Sequence, residues 1–141
     1  MTMRNAVIAC AALLCCCSIV QQVQPVQNTN LRDICIIENP ATRNGFLNQY
    51  QQSLQNRGYS VKVMPRGTGF MACPLMTTYE GHWSWDLALY MSYARLDVYL
   101  DGKPVGQALY DSRRGVGRMD KFIDAETKID ELVSQLYPAR G

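Results

Sequence analysis

Polar and apolar residues alternate along Tyr59-Ser60-Val61-Lys62-Val63-Met64, a period of two that predicts a half-exposed strand stopped by Pro65. Upstream, Arg32-Asp33-Ile34-Cys35-Ile36-Ile37 is a β-branched run closed by Glu38-Asn39-Pro40, which predicts a short buried strand. Between the two, Phe46, Leu47, Tyr50 and Leu54 recur at helical spacing from Thr42 to Arg57. Thr42 or Asn44 is placed to cap that helix, and Gly58 sits where a helix ends in a left-handed residue. Leu75 to Leu100 reads as one long extended segment. In its second half Ala94, Leu96, Val98 and Leu100 share one face, while Arg95, Asp97 and Tyr99 share the other. Asp101-Gly102 predicts a tight hairpin turn with both central residues at positive φ, and Val105 to Asp111 returns as the paired strand. Arg66–Gly69 and the basic stretch Arg113–Gly117 read as links. Phe122, Ala125, Ile129, Leu132, Val133 and Leu136 then form the apolar stripe of a terminal helix that Asp120 would cap and Pro138 would end. Asp124 and Lys128 would pair on its wet side.

The resulting order is β-α-β-β-β-α. Strands followed by a terminal amphipathic helix predict an α+β fold, a two-layer sandwich of a mostly antiparallel sheet with both helices on one face. The first helix would be a crossover between two parallel neighbours.

Ahead of this domain the pattern is different. Met1-Thr2-Met3-Arg4-Asn5 is a short basic head, Ala6 to Leu14 is largely apolar, and Cys15-Cys16-Cys17 follows. That is the shape of a secretory signal, too short to span a bilayer permanently, which takes about 20 apolar residues. After Cys17, Ser18 to Asn30 is uncharged and rich in Gln and Asn, with a proline, and reads as a flexible tether. The Leu13-Leu14-Cys15-Cys16 step resembles the lipobox of bacterial lipoproteins. Cys16 is the preferred acceptor for lipidation and Cys17, one step on, the alternate; Val7-Ile8-Ala9-Cys10 fits locally but leaves almost no apolar stretch before it. The resemblance implies outer-membrane anchoring with the domain facing the periplasm, because neither acceptor is followed by aspartate. A cleaved signal with redundant thiols, or a metal-binding cysteine run, is the competing reading. The chain thus divides into a lipoprotein-type signal peptide at 1–16, a tether at 17–31 and a single domain at 32–141.

Composition narrows the classes further. Of 141 residues, 48% are hydrophobic, which excludes wholesale disorder, and a formal net charge of +2 with no Lys/Arg stripe argues against nucleic acid as a partner. In an exported chain the two remaining cysteines, Cys35 and Cys73, suit a disulfide, although Cys35 lies among isoleucines and would also suit a buried thiol.

The chemistry-bearing residues concentrate in Tyr79-Glu80-Gly81-His82-Trp83-Ser84-Trp85-Asp86, followed by Tyr90 and Tyr93. His82, Ser84 and Asp86 are the residue types of an acyl-transfer triad and would make an envelope hydrolase. Alternate positions of an extended chain, however, lie about 7 Å apart, too far for direct hydrogen bonds, and Ser84 has no nucleophile-elbow glycines. One histidine with Glu80 and Asp86 supplies too few ligands for a metal site, and no cofactor is expected. Tyr79, His82, Trp83, Trp85 and Asp86 are better suited to recognition of an envelope protein or glycan partner, in competition with plain packing of the tryptophans into the core. Trp83, Ser84, Trp85, Asp86, Tyr90, Lys121 and Phe122 also resemble the pattern of an uncharacterised family of proteobacterial lipoproteins, the Sbal-type, over about Asp33 to Tyr137. That family carries no established activity. The expectation is therefore a non-catalytic, membrane-anchored binding or assembly module, or a subunit of an envelope secretion or stress-linked complex that docks through Trp83 and Trp85.

Overall fold

The computed structural model describes residues 18–115 and 117–139, so the acylation expected at Cys16 or Cys17 falls on residues outside those described. Six strands form one sheet: β1 Val20–Gln24, β2 Asp33–Ile37, β3 Ser60–Met64, β4 Leu75–Asp86, β5 Ala88–Leu100 and β6 Lys103–Asp111. Their order is β1-β6-β5-β4-β2-β3, with β2 parallel to both β3 and β4 and the other three pairings antiparallel. Helices α1, Asn44–Asn56, and α2, Ala125–Leu136, pack on one face, and a 3₁₀ turn at Met119–Phe122 precedes α2. The α+β sandwich and the parallel crossover through α1 are as the pattern predicts.

One continuous core joins the layers. Phe46, Tyr50 and Leu54 of α1 and Ile129, Leu132, Val133 and Leu136 of α2 bury against Ile34, Ile36, Leu75, Leu96, Val98 and Ala108 of the sheet. Three hydroxyls bond to one another across this core. Tyr50 Oη lies 2.6 Å from Thr77 Oγ1 and 2.7 Å from Tyr137 Oη, and Thr77 Oγ1 donates to the Asp97 carbonyl at 2.8 Å. Burial raises the pKa of both phenols, so each keeps the proton that the network needs. At the margin, Arg57 at the C-terminal cap of α1 meets Asp130 of α2 at 2.9 Å, a partly exposed pair worth about 1 kcal/mol or less.

Two elements depart from the expected order, which becomes β-β-α-β-β-β-β-α. The first is β1, formed by residues assigned to a tether. Ile19 and Val23 pack against the core, and the position between them is Gln21, whose amide donates to Glu131 and Gln135 of α2 at 3.1 Å. Lys128 Nζ donates in turn to Gln21 Oε1 at 3.0 Å. A polar side chain on the core-facing side hides the alternation, and α2 supplies its partners. Val26 continues the attachment: it is buried, its N–H donates to the Leu136 carbonyl, and a Cβ on Gly106 would lie 2.8 Å from its Cγ2, so only glycine fits there. The second departure is the division of 75–100 into β4 and β5. The chain reverses at Leu87, at φ 61, with no glycine, proline or asparagine to mark the turn.

Local details also differ. Thr42 does not cap α1; its buried hydroxyl accepts from the Gly81 N–H at 3.2 Å. Asp124, not Asp120, caps α2 by accepting from the Thr127 N–H, and Lys128 is buried over the Tyr110 ring rather than paired with Asp124 in solvent. The Asp101-Gly102 turn has φ 49 and 79, as expected of a hairpin with both central residues left-handed.

Cys35 and Cys73 form a disulfide, with Cα atoms 6.3 Å apart. Its placement explains its use. The segment after β3 crosses β2 on the face away from the helices to reach β4, and Cys73 ties it to the strand that it crosses. Phe70 stacks on Tyr99 at 4.5 Å in the same segment. With the cysteines 38 positions apart, replacing both by alanine is expected to lower the unfolding free energy by about 4 kcal/mol on the chain-entropy account. Urea unfolding checks this, and an unmoved midpoint would contradict it.

Candidate functional site

The segment singled out by its chemistry builds a two-stranded arm. Past the His82–Tyr93 pair, β4 and β5 have no strand neighbour but each other: Trp83 faces Met91, Ser84 faces Tyr90, Trp85 faces Leu89, and Asp86 faces Ala88. On one side β6 has ended, since its last paired residue, Asp111, lies opposite Tyr93. On the other, β2 meets β4 only at Met76 and Thr77. A bulge between His82 and Trp83 leaves Ser92 out of the pairing. Its carbonyl accepts from the Ser112 N–H at 2.9 Å, which ties the base of the arm to the end of β6.

The root of the arm is packed. Tyr79, expected among the recognition residues, is buried: its ring stacks on Phe46 at 5.3 Å and its hydroxyl accepts from the Asn39 N–H. A Cβ on Gly81 would come within 2.7 Å of the Phe46 ring, so this position must stay bare for α1 to sit down. Trp83 is half-buried, its edge against Phe46 and the Arg43 guanidinium 5.2 Å from its ring. These side chains, with Glu126 and Ile129, line an open groove of about 530 Å³ between the starts of the two helices.

The outer half is held by charge and by rings. Lys121, almost fully buried, donates from Nζ to Asp86 Oδ2, and the same ammonium lies 5.3 Å from the Tyr90 ring and 5.2 Å from the Phe122 ring. Tyr90 and Phe122 meet edge-on at 5.3 Å. The hydrogen bond to the Asp86 carboxylate raises the Lys121 pKa above its ordinary value, outweighing burial. Asp86, Tyr90, Lys121 and Phe122, dispersed through the sequence pattern described above, are therefore one cluster that clasps the arm to the 3₁₀ turn.

The tip is bare. Trp85 is 74% exposed, Leu87 86% and Leu89 47%. Core packing describes Trp83 in part and fails for Trp85. Sequence reasoning singled out Trp85 but missed Leu87 and Leu89, because it placed both inside a continuous strand.

The three residue types of an acyl-transfer triad are not brought together. His82 Nε2 pairs with Glu80 at 2.6 Å, Ser84 Oγ donates to Ser92 Oγ at 2.8 Å, and Asp86 is taken by Lys121. Each is committed to a different partner, so the arrangement offers no Ser–His–Asp relay. Among the described residues no three His, Cys, Asp or Glu side chains are grouped closely enough to hold a metal ion, and no helix is long and apolar enough to cross a membrane.

By sequence, no protein-family model and no curated protein matches the chain. By structure it is similar to the PelC dodecamer from Paraburkholderia phytofirmans, with a TM-score of 0.53 at 9% identity over 84% of this chain and 95% of that one. A leucine-to-methionine variant of the same dodecamer gives a TM-score of 0.54, also at 9% identity, over 84% and 94%. At such identity the likeness is one of fold.

If the Lys121 clasp holds the arm, Lys121→Met should leave the far-UV spectrum unchanged and speed amide exchange several-fold within residues 83–91. Exchange unchanged there would contradict the clasp. Because the lysine pKa is raised in the folded state, its contribution is complete below the ordinary lysine value of 10.5 and is lost as pH rises through the folded-state value. Tryptophan anisotropy should accordingly stay flat through neutral pH and fall only in strongly alkaline solution.

Proposed function

We propose that this chain is a non-catalytic lipoprotein of the bacterial envelope, acylated at Cys16, with Cys17 the alternate acceptor. It is held at the outer membrane with its domain toward the periplasm. The observation that carries this reading is the Leu13-Leu14-Cys15-Cys16 step directly ahead of a folded domain whose first strand starts at Val20. A disulfide between Cys35 and Cys73 suits an oxidising compartment. The Sbal-type resemblance points to the same address.

Its role is that of a binding or assembly module with protein partners, copies of itself among them. Support comes from the fold, which in PelC of P. phytofirmans builds a dodecamer, and from the sheet edges. The outer strand β1, Val-Gln-Gln-Val-Gln, is uncharged and so lacks the charged residues that discourage edge pairing. A second reading, docking to an envelope complex through Trp83 and Trp85, is favoured by the exposure of Trp85.

Treatment with globomycin, or replacement of Cys16 and Cys17 by serine, should leave an unprocessed or unacylated chain and shift it between membrane and soluble fractions. If neither processing nor fractionation changes, the anchor is wrong. Light scattering on the detergent-extracted protein should give several times the chain mass, and a strictly monomeric mass would remove self-assembly from the reading.

A further inference from the structure

Val20, Asp111, Tyr93 and His82 lie in one paired row across β1, β6, β5 and β4. Strand directions fix what lies beyond that row. In the same sense, β1 leads back toward Cys17 and Cys16, β6 runs on into Arg113 and Arg114, and β4 and β5 run out into the arm. Ser18, Val20, Asp111, Arg113 and Arg114 indeed line one surface depression. Four strand residues carry the chain from His82 to Asp86, about 13 Å past the same row. The strand end that leads back toward the expected acyl acceptor and the tip of the arm therefore lie at the same end of the sheet.

What the tip presents there is mainly apolar. Trp85, Leu87 and Leu89 are its large exposed side chains, the half-exposed Asp86 carboxylate beside them is paired with Lys121, and Leu87 holds the left-handed conformation that suits glycine or asparagine and disfavours leucine. An apolar side chain at a strained, solvent-facing turn calls for something outside the fold to receive it. Three side chains at about 150–250 Å² for the largest fall well short of the roughly 800 Å² per partner of a stable protein interface. Tryptophan beside leucine is the composition that settles at a lipid–water boundary. The charges nearby are internally matched, Arg113 with Asp111, Arg118 with Asp120 and Lys121 with Asp86, which leaves Arg114 as the exposed excess.

We propose that the arm is a second membrane contact: Trp85, Leu87 and Leu89 enter the lipid interface beside the acylated cysteine, and the strands stand on the membrane by this end. The contact is driven by apolar burial and does not depend on anionic lipid. Its placement rests on the lipoprotein reading, and the test separates the two.

Full-length protein extracted from membranes is reconstituted into phosphatidylcholine vesicles with and without bromine on the acyl chains. In Trp83→Phe, where Trp85 is the remaining tryptophan, bromine should quench emission at least two-fold and iodide should have little access. The difference in quenching between the unaltered protein and Trp85→Phe reports the same ring without disturbing Trp83. Leu87→Asn with Leu89→Ser should abolish the bromine effect with the far-UV spectrum unchanged. Emission indifferent to bromine overturns the proposal, whether the ring is open to iodide or shielded by a protein partner. Mass spectrometry on the same sample reads acylation separately. If no acyl group is found, the unacylated chain is added to the same vesicles, where quenching of Trp85 supports the arm contact and its absence overturns it.

Discussion

The pairing of β1 with β6 decides how this molecule can sit. Were residues 18–31 a free tether, the domain could take any orientation and any distance up to the length of the chain. Instead Val20 to Gln24 lie in register with Asp111 to Gln107, Gln21 is bonded to three side chains of α2, and Val26 fills the space that Gly106 leaves open. The chain leaves the sheet at a defined end, with at most a few residues between the ordered strand and the cysteine run. That register puts Ser18, the Arg113-Arg114 link and the β4–β5 arm at the same end of the sheet.

The arm itself is a balance of exposure and bracing. A two-stranded ribbon is marginal in water without a packed face. Here the bracing comes at the root from Phe46, Tyr79 and Trp83, and farther out from Lys121 between Asp86 and two aromatic rings. The tip can then be apolar and exposed without the arm folding back over the core. A clasp of this kind positions a surface and performs no chemistry, in keeping with the separate commitments of His82, Ser84 and Asp86.

Much of the fold was legible because burial writes itself as period. The stripes of α1 and α2, the alternation in β3 and β5, and the Asp101-Gly102 turn all follow directly from which atoms must avoid water. The disulfide was legible through compartment logic, and its structural reason, a loop crossing β2, was not. What escaped was settled by tertiary partners. Gln21 faces the core because α2 offers it hydrogen bonds, so the apolar alternation of β1 is interrupted at its centre. Leu87 turns the chain with no glycine, proline or asparagine to mark it. Thr42 was claimed by Gly81 instead of capping its helix, and Tyr79, an aromatic in an aromatic-rich segment, was needed under Phe46. In the candidate site the sequence placed attention on Trp85 and Asp86 and could not give the reversal that exposes Leu87 and Leu89 beside them.

Photocrosslinking in cells from a photoreactive residue at position 87 distinguishes a sheet end that faces lipid from one that faces protein. Adducts with phospholipid are expected from the tip, and none from a control position at Lys62 on the opposite edge strand β3. Adducts at position 87 with protein alone, or equal lipid labelling from both positions, would contradict the lipid-facing end.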